Sequence, residues 1–149
     1  MSTDKIVEKV RAFNRFYMPS MNLLGNHYLG SEYSVTESRV FFELYENEGC
    51  NAAHIAQIMN IDKSYLSRII KSHEKNGYIK RSPSRDDGRS YSLFLTDKGM
   101  KKAVDFIYKS DVEIGSILQN LSKDEQIRLV DALDTITELL SKGKGGVQR

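Results

Sequence analysis

One cysteine, Cys50, among 149 residues has no partner within the chain, so no internal disulfide framework holds this protein together. Long apolar runs are missing too: no stretch approaches the ~18 consecutive apolar residues of a membrane-spanning helix. The N-terminus, MSTDKIVEKVRAFNR, is charged and helix-like where a secretory leader would carry an apolar core. The expected compartment is the cytoplasm, with no membrane partner. Catalytic and metal signatures are equally scarce. His27, His54 and His73 lie far apart and lack companion Cys or Asp at ligand spacing. There is no Ser, His and Asp arrangement, no phosphate-binding glycine loop and no paired-carboxylate signal with a context. The expectation is a non-enzyme with no cofactor and no metal.

What is present is a globular balance, 40% apolar and 28% charged residues. A chain of this length buries about two-thirds of the surface it exposes when unfolded, enough for one domain to stand on its core. Net charge is only +2, but it is unevenly distributed. Residues 1–60 carry 5 basic and 7 acidic side chains, residues 61–91 carry 8 and 4, and residues 92–149 carry 9 of each. The middle is a basic island, which is either a solvated surface or a nucleic-acid footprint.

Periodicity supplies the elements. Ile6, Val10, Phe13, Tyr17, Met21 and Leu24 recur every three or four residues as one helical stripe, inside which Pro19 is expected to kink or divide the helix. Gly25 to Tyr33 reads as a loop. Ser34-Val35-Thr36-Glu37 has the capping-box spacing and starts a second helix with Val40, Phe41, Leu44 and Tyr45 inward, ended by Glu48-Gly49. Asn51 caps a short helix to Met59, with Ala52, Ile55, Ala56 and Met59 at buried spacing. After the tight turn Asn60-Ile61, Asp62 caps a helix from Lys63 to about Lys75 with Leu66, Ile69, Ile70 and His73 inward.

Gly77 closes that helix and the period changes. Tyr78 to Ser82 and Ser90 to Leu95 read as two strands around turn chemistry at Pro83 to Gly88. Thr96 caps a long helix to about Asn120 with Val104, Ile107, Ile114 and Leu118 on one stripe. Ser122 and Glu125 form a second capping box before a helix carrying Ile127, Leu129, Val130, Leu133, Ile136 and Leu140. The glycine-bearing tail is expected to be disordered. The fold class is mainly α with a small β component: a winged helix-turn-helix between N- and C-terminal helices.

Short helix, tight turn, second helix and hairpin over 51–95 form a constellation with a physical logic. The first helix braces the second, whose N-terminal half enters the DNA major groove while the hairpin reaches the backbone or minor groove. Removing the inward positions leaves Lys63, Ser64, Tyr65, Ser67, Arg68 and Lys71 outward: donors and an aromatic, without carboxylates. An Arg there can address guanine O6 and N7 in bidentate fashion. At the hairpin tip Arg85 and Arg89 flank Asp86 and Asp87, and a carboxylate can orient an arginine entering a narrow groove.

Asp62 to Ile70, Glu74-Lys75-Asn76-Gly77-Tyr78-Ile79, Asp87-Gly88-Arg89 and Leu93 to Gly99 resemble the MarR family of transcriptional regulators, motif by motif and in order. Val10 to Tyr17, Ser34 to Val40 and Tyr65 to Arg68 are similar to the branch whose regulator domain is often fused to an acetyltransferase. The resemblance implies a single domain over 1–143, with dimerisation helices at 1–33 and 97–142, a DNA-binding lobe at 34–96 and a tail at 143–149. It implies a homodimer, usually a repressor, astride a pseudo-palindromic double-stranded operator. Ser67 and Arg68 would face the groove, and Asp87 and Arg89 would sit at the wing tip. The oversized apolar faces of the terminal helices ask for a partner independently.

Family members often release DNA when a small aromatic or phenolic molecule enters a crevice, and Tyr17, Met21, His27, Tyr28, Phe41 and Tyr45 are the candidate lining here. Aromatic residues at helical spacing are also ordinary core filler. Two other readings stay open: a regulatory module working with an acetyltransferase partner in trans, and a winged-helix interaction module without DNA binding. Cys50, at a helix junction, does not match the first-helix position of the family's oxidation sensors.

Overall fold

Short polar side chains start the helices. Residues 1–83 and 90–142 are described by a computed structural model. Ser2 accepts from the Lys5 N–H at the start of α1 (Thr3–Ser20). The capping box forms at α2 (Val35–Glu46): the Glu37 N–H donates to Ser34 Oγ at 3.1 Å and the Ser34 N–H to Glu37 Oε1 at 3.0 Å. Asn51 Oδ1 accepts from the His54 N–H at 2.8 Å to open α3 (Ala52–Met59). Asp62 Oδ2 accepts from Ser64 and Tyr65 N–H groups at 3.0 and 3.2 Å to open α4 (Lys63–Lys75). Strands β1 (Ile79–Pro83) and β2 (Tyr91–Leu95) pair antiparallel, with Ile79 opposite Leu95 and Pro83 opposite Tyr91. Helix α5 (Asp97–Leu118) and helix α6 (Lys123–Lys142) complete the order. A second capping box, Ser122 with Glu125, precedes α6. The hairpin tip and the expected disordered tail lie outside the described residues.

Two compact units result, Met1–Phe106 and Ile107–Arg149. The core of the first joins Val40, Phe41 and Leu44 of α2, Ile55 of α3, Leu66 and Ile70 of α4, and Leu93 of β2. His73 is inside that core and only 1% exposed. Its Nε2–H donates to the Glu37 carbonyl at 2.9 Å and its ring lies 4.3 Å from that of Phe41, so it bolts α4 to the start of α2. Burial pulls its pKa below the ordinary value, outweighing the carbonyl contact. In the second unit Gln126 Nε2 donates to the Leu118 and Leu121 carbonyls across the α5–α6 turn, and α6 buries none of its residues.

Four expectations are corrected. Helix α1 is not divided at Pro19, which falls in its last turn with only Ser20 after it; Met21 caps the end and Asn22 turns left-handed, so Leu24 is not on the stripe. Gly49 does have a positive φ of 86°, but α2 has already ended at Glu46. The glycine instead lets the 49–50 segment pair with β2, through Gly49 N–H to the Leu93 carbonyl and Leu93 N–H to the Cys50 carbonyl, both 2.9 Å. Ala52 and Tyr45 are exposed rather than inward. On α5 the buried positions are Gly99, Ala103 and Phe106, whereas Val104 and Ile114 of the predicted stripe are exposed.

Candidate nucleic-acid interface

The side of α4 that the core leaves free carries the candidate contacts. Leu66, Ile69, Ile70 and His73 are buried, which fixes the rotation of the helix about its axis. Lys63, Ser64, Tyr65, Arg68 and Lys71 are therefore exposed, and Ser67 is half-buried beside them. No Asp or Glu occupies the first turn of α4 beyond the capping Asp62. The Asp62 carboxylate is engaged with backbone N–H groups, so the outward surface near the start of this helix is one of hydrogen-bond donors and positive charge. The Arg68 guanidinium lies over the Tyr65 ring, 5.9 Å from its centroid.

The root of the hairpin is tied to the same helix. Arg81 Nε donates to Glu74 Oε2 at 2.9 Å, and its guanidinium sits 5.7 Å from the centroid of the Tyr91 ring. Between α3, α4 and the strands lies a cleft of about 230 Å³ whose lining includes Asn51, Ala52, Ala53, Ser67, Arg81 and Tyr91. Sequence reading missed Glu74, Arg81 and Tyr91. Only Arg81 had a visible signal, a basic residue on a strand of the basic island, and its partner comes from an element seven residues away. Arg85, Asp87 and Arg89 lie outside the described residues.

Residues 34–91 match the sequence model of the MarR family. Over that segment the chain resembles the MarR family. It is 29% identical over 139 residues to the HTH-type transcriptional regulator TtmR of Methylorubrum extorquens, a match covering 92% of this chain and 66% of that one. The chain thus spans about two-thirds of that relative's length. A MarR transcriptional regulator from Methanosarcina mazei Go1 shares the fold with a TM-score of 0.72 at 21% identity, covering 93% of this chain and 98% of the other. Streptococcus pneumoniae FabT, solved in complex with DNA, gives 0.70 at 18% identity, over 95% and 99% of the chains. The relative from Methylorubrum extorquens and the protein from Methanosarcina mazei are both described as transcriptional regulators.

The MarR-like motif Leu95-Thr96-Asp97-Lys98-Gly99 proves to be a joint. Thr96 Oγ1 donates to the Gly77 carbonyl at 2.6 Å and accepts from the Gly99 N–H at 3.1 Å. Lys98 Nζ donates to the Asn76 carbonyl at 2.8 Å, placing a cation at the C-terminus of α4, where the helix dipole favours it. A Cβ on Gly99 would overlap the Tyr78 carbonyl oxygen.

The candidate effector residues are dispersed. Phe41 is fully buried and Tyr28 half-buried against the same core, with its ring 6.2 Å from Phe106. Tyr17 stacks on Phe13 of its own helix at 5.4 Å, Met21 is half-buried, and His27 is exposed with its Nδ1 3.0 Å from the Ser31 carbonyl. Tyr45 is 41% exposed. Burial pushes the Cys50 thiol's pKa up, which disfavours the reactive thiolate. No helix among the described residues is long and apolar enough to cross a membrane.

Proposed function

We propose that this protein is a sequence-specific double-stranded DNA-binding regulator that works as a homodimeric repressor. The observation that supports this best is the exposed face of α4, where Lys63, Ser64, Tyr65, Arg68 and Lys71 stand free of carboxylates on a helix whose rotation the core has fixed. Such a face can lie along the major groove, with Ser and Lys positioning on phosphates and Arg68 addressing a base edge. The hairpin would reach the neighbouring backbone or minor groove, and Arg85, Asp87 and Arg89 enter this reading through their sequence motif.

A homodimer is supported by apolar side chains that each unit leaves in solvent: Ile6, Val10, Phe13 and Phe16 on α1, and Ile127, Val130, Leu139 and Leu140 on α6. Covering such side chains stabilises by about 1.5–3 kcal/mol each when burial is complete, and a second copy supplies the same surface by symmetry. Release by a small aromatic effector rests on the family resemblance. It would operate as a population shift, limited to the ligand's differential affinity for the two dimer states. A thermal-shift screen of phenolic compounds that alters neither stability nor DNA affinity would remove that part.

Arg68→Ala tests the core of the reading. It is expected to cost about 1–3 kcal/mol on the preferred duplex and to relax base preference at one position per half-site. Arg89→Ala is expected to weaken binding without that relaxation. Unchanged affinity in both variants, measured by fluorescence anisotropy, would refute the assignment.

A further inference from the structure

Tyr65 and Arg68 are one helical turn apart on the exposed side of α4, a spacing at which side chains meet. The helix beneath them is capped at its start and packed on the core. Asp62 Oδ2 holds the Tyr65 N–H itself, at 3.2 Å, and the buried Leu66 and Ile69 lock the turn between the two residues. Tyr65 has two side-chain torsions and Arg68 has four, so the ring is the fixed member and the guanidinium the mobile one. The guanidinium lies 5.9 Å from the ring centroid, within the range of a cation–π contact.

We propose that Tyr65 is the positioning residue of the base-reading arginine: its ring holds the Arg68 guanidinium over the helix surface, and it acts on DNA through Arg68 rather than through its own hydroxyl. This rests on the reading of α4 as the base-contacting helix and names a determinant of its specificity. An arginine free to sample its rotamers loses side-chain entropy on docking in bidentate register with a guanine edge. An arginine already held on a ring has lost part of it before the encounter. The ring contact neutralises no phosphate itself, so it adjusts base preference without changing how many phosphates are neutralised.

The test uses the full chain and the duplex enriched from random sequence. Affinities of wild type, Y65F, Y65L, R68A and the double variant Y65L/R68A are measured on that duplex and on duplexes with each base pair of a half-site replaced. Tyr65 is 39% exposed, so these variants are expected to keep the fold, which thermal unfolding checks. Y65F, which keeps the ring, is expected to lose less than Y65L. Y65L is expected to weaken the preferred duplex about two- to five-fold, the size of an exposed cation–π contact, and to flatten preference at the positions that R68A flattens. Its salt dependence should stay unchanged, and the double variant should equal R68A alone. Equal losses from Y65L with and without Arg68, or a Y65F variant as weak as Y65L, would overturn the proposal and give the role to the Tyr65 side chain's own DNA contact. If R68A itself changes neither affinity nor base preference, the reading of α4 fails first and the proposal with it.

Discussion

His73 shows how one residue ties helix α4 to the rest of its unit. It is almost fully buried, bonded through one nitrogen to the Glu37 carbonyl, and its other ring nitrogen, Nδ1, is buried without a hydrogen-bond partner among the described residues. Burial is the first cause of its lowered pKa, and the positive charge of Lys102 adds to it. Below the ordinary value of 6.5 the unfolded chain takes up a proton that the folded chain refuses, so the stabilising effect of the neutral ring is present above that pH and is lost as pH falls through and below it. The midpoint of thermal unfolding is therefore expected to hold steady from about pH 8 to 7 and to fall below about 6.5. His73→Phe, which keeps an aromatic ring among Tyr33, Phe41 and Tyr78, should flatten that fall. A decline of the same steepness in the variant would show that other groups cause it. The Glu32 carboxylate, whose pKa is lowered mainly by a backbone hydrogen bond, acts in a separate and more acidic window.

Elements are held together by joints more than by long contacts, and the plainest joint is the one between the end of α4 and the start of α5. Thr96, Lys98 and Gly99 meet the Gly77, Asn76 and Tyr78 carbonyl region there. Gly99→Ala forces a methyl group against backbone that cannot rotate away, and is expected to cost about 1–3 kcal/mol in urea unfolding. An unchanged midpoint would mean the joint gives way freely. Helix starts were legible in the sequence because a cap is local: Ser34, Asn51 and Asp62 bond backbone groups within three residues of themselves. The inward face of α4 was legible for the same reason, since periodicity alone sorts Leu66, Ile69 and Ile70 from Arg68. Partnerships between elements were not. Glu74 with Arg81, Gly49 with Leu93 and Gly99 with Tyr78 depend on where separate elements meet, which no spacing encodes. Pro19 misled because its effect depends on how many turns follow it, and the helix stops one residue later.

At the scale of the whole molecule, α6 asks for a partner. It buries none of its twenty residues, and Leu133 is 41% exposed at mid-helix. If a second copy covers that face, Leu133→Glu places an unpaired charge in an apolar interface. It is expected to shift the protein from dimer to monomer in sedimentation, and to reduce DNA affinity more steeply than any single contact on α4. A variant that stays dimeric would place the interface elsewhere. The claim that joins these scales is that a two-fold pair of α4 helices reads a two-fold duplex. Its most direct test is a binding selection of the full chain on random-sequence duplexes, followed by affinity against salt for the winner. The account predicts enrichment of a site with related halves about one helical turn apart, with an affinity that falls steeply as salt rises. No enrichment, with only weak affinity that is the same for every sequence, would contradict it and leave the basic island as general electrostatics.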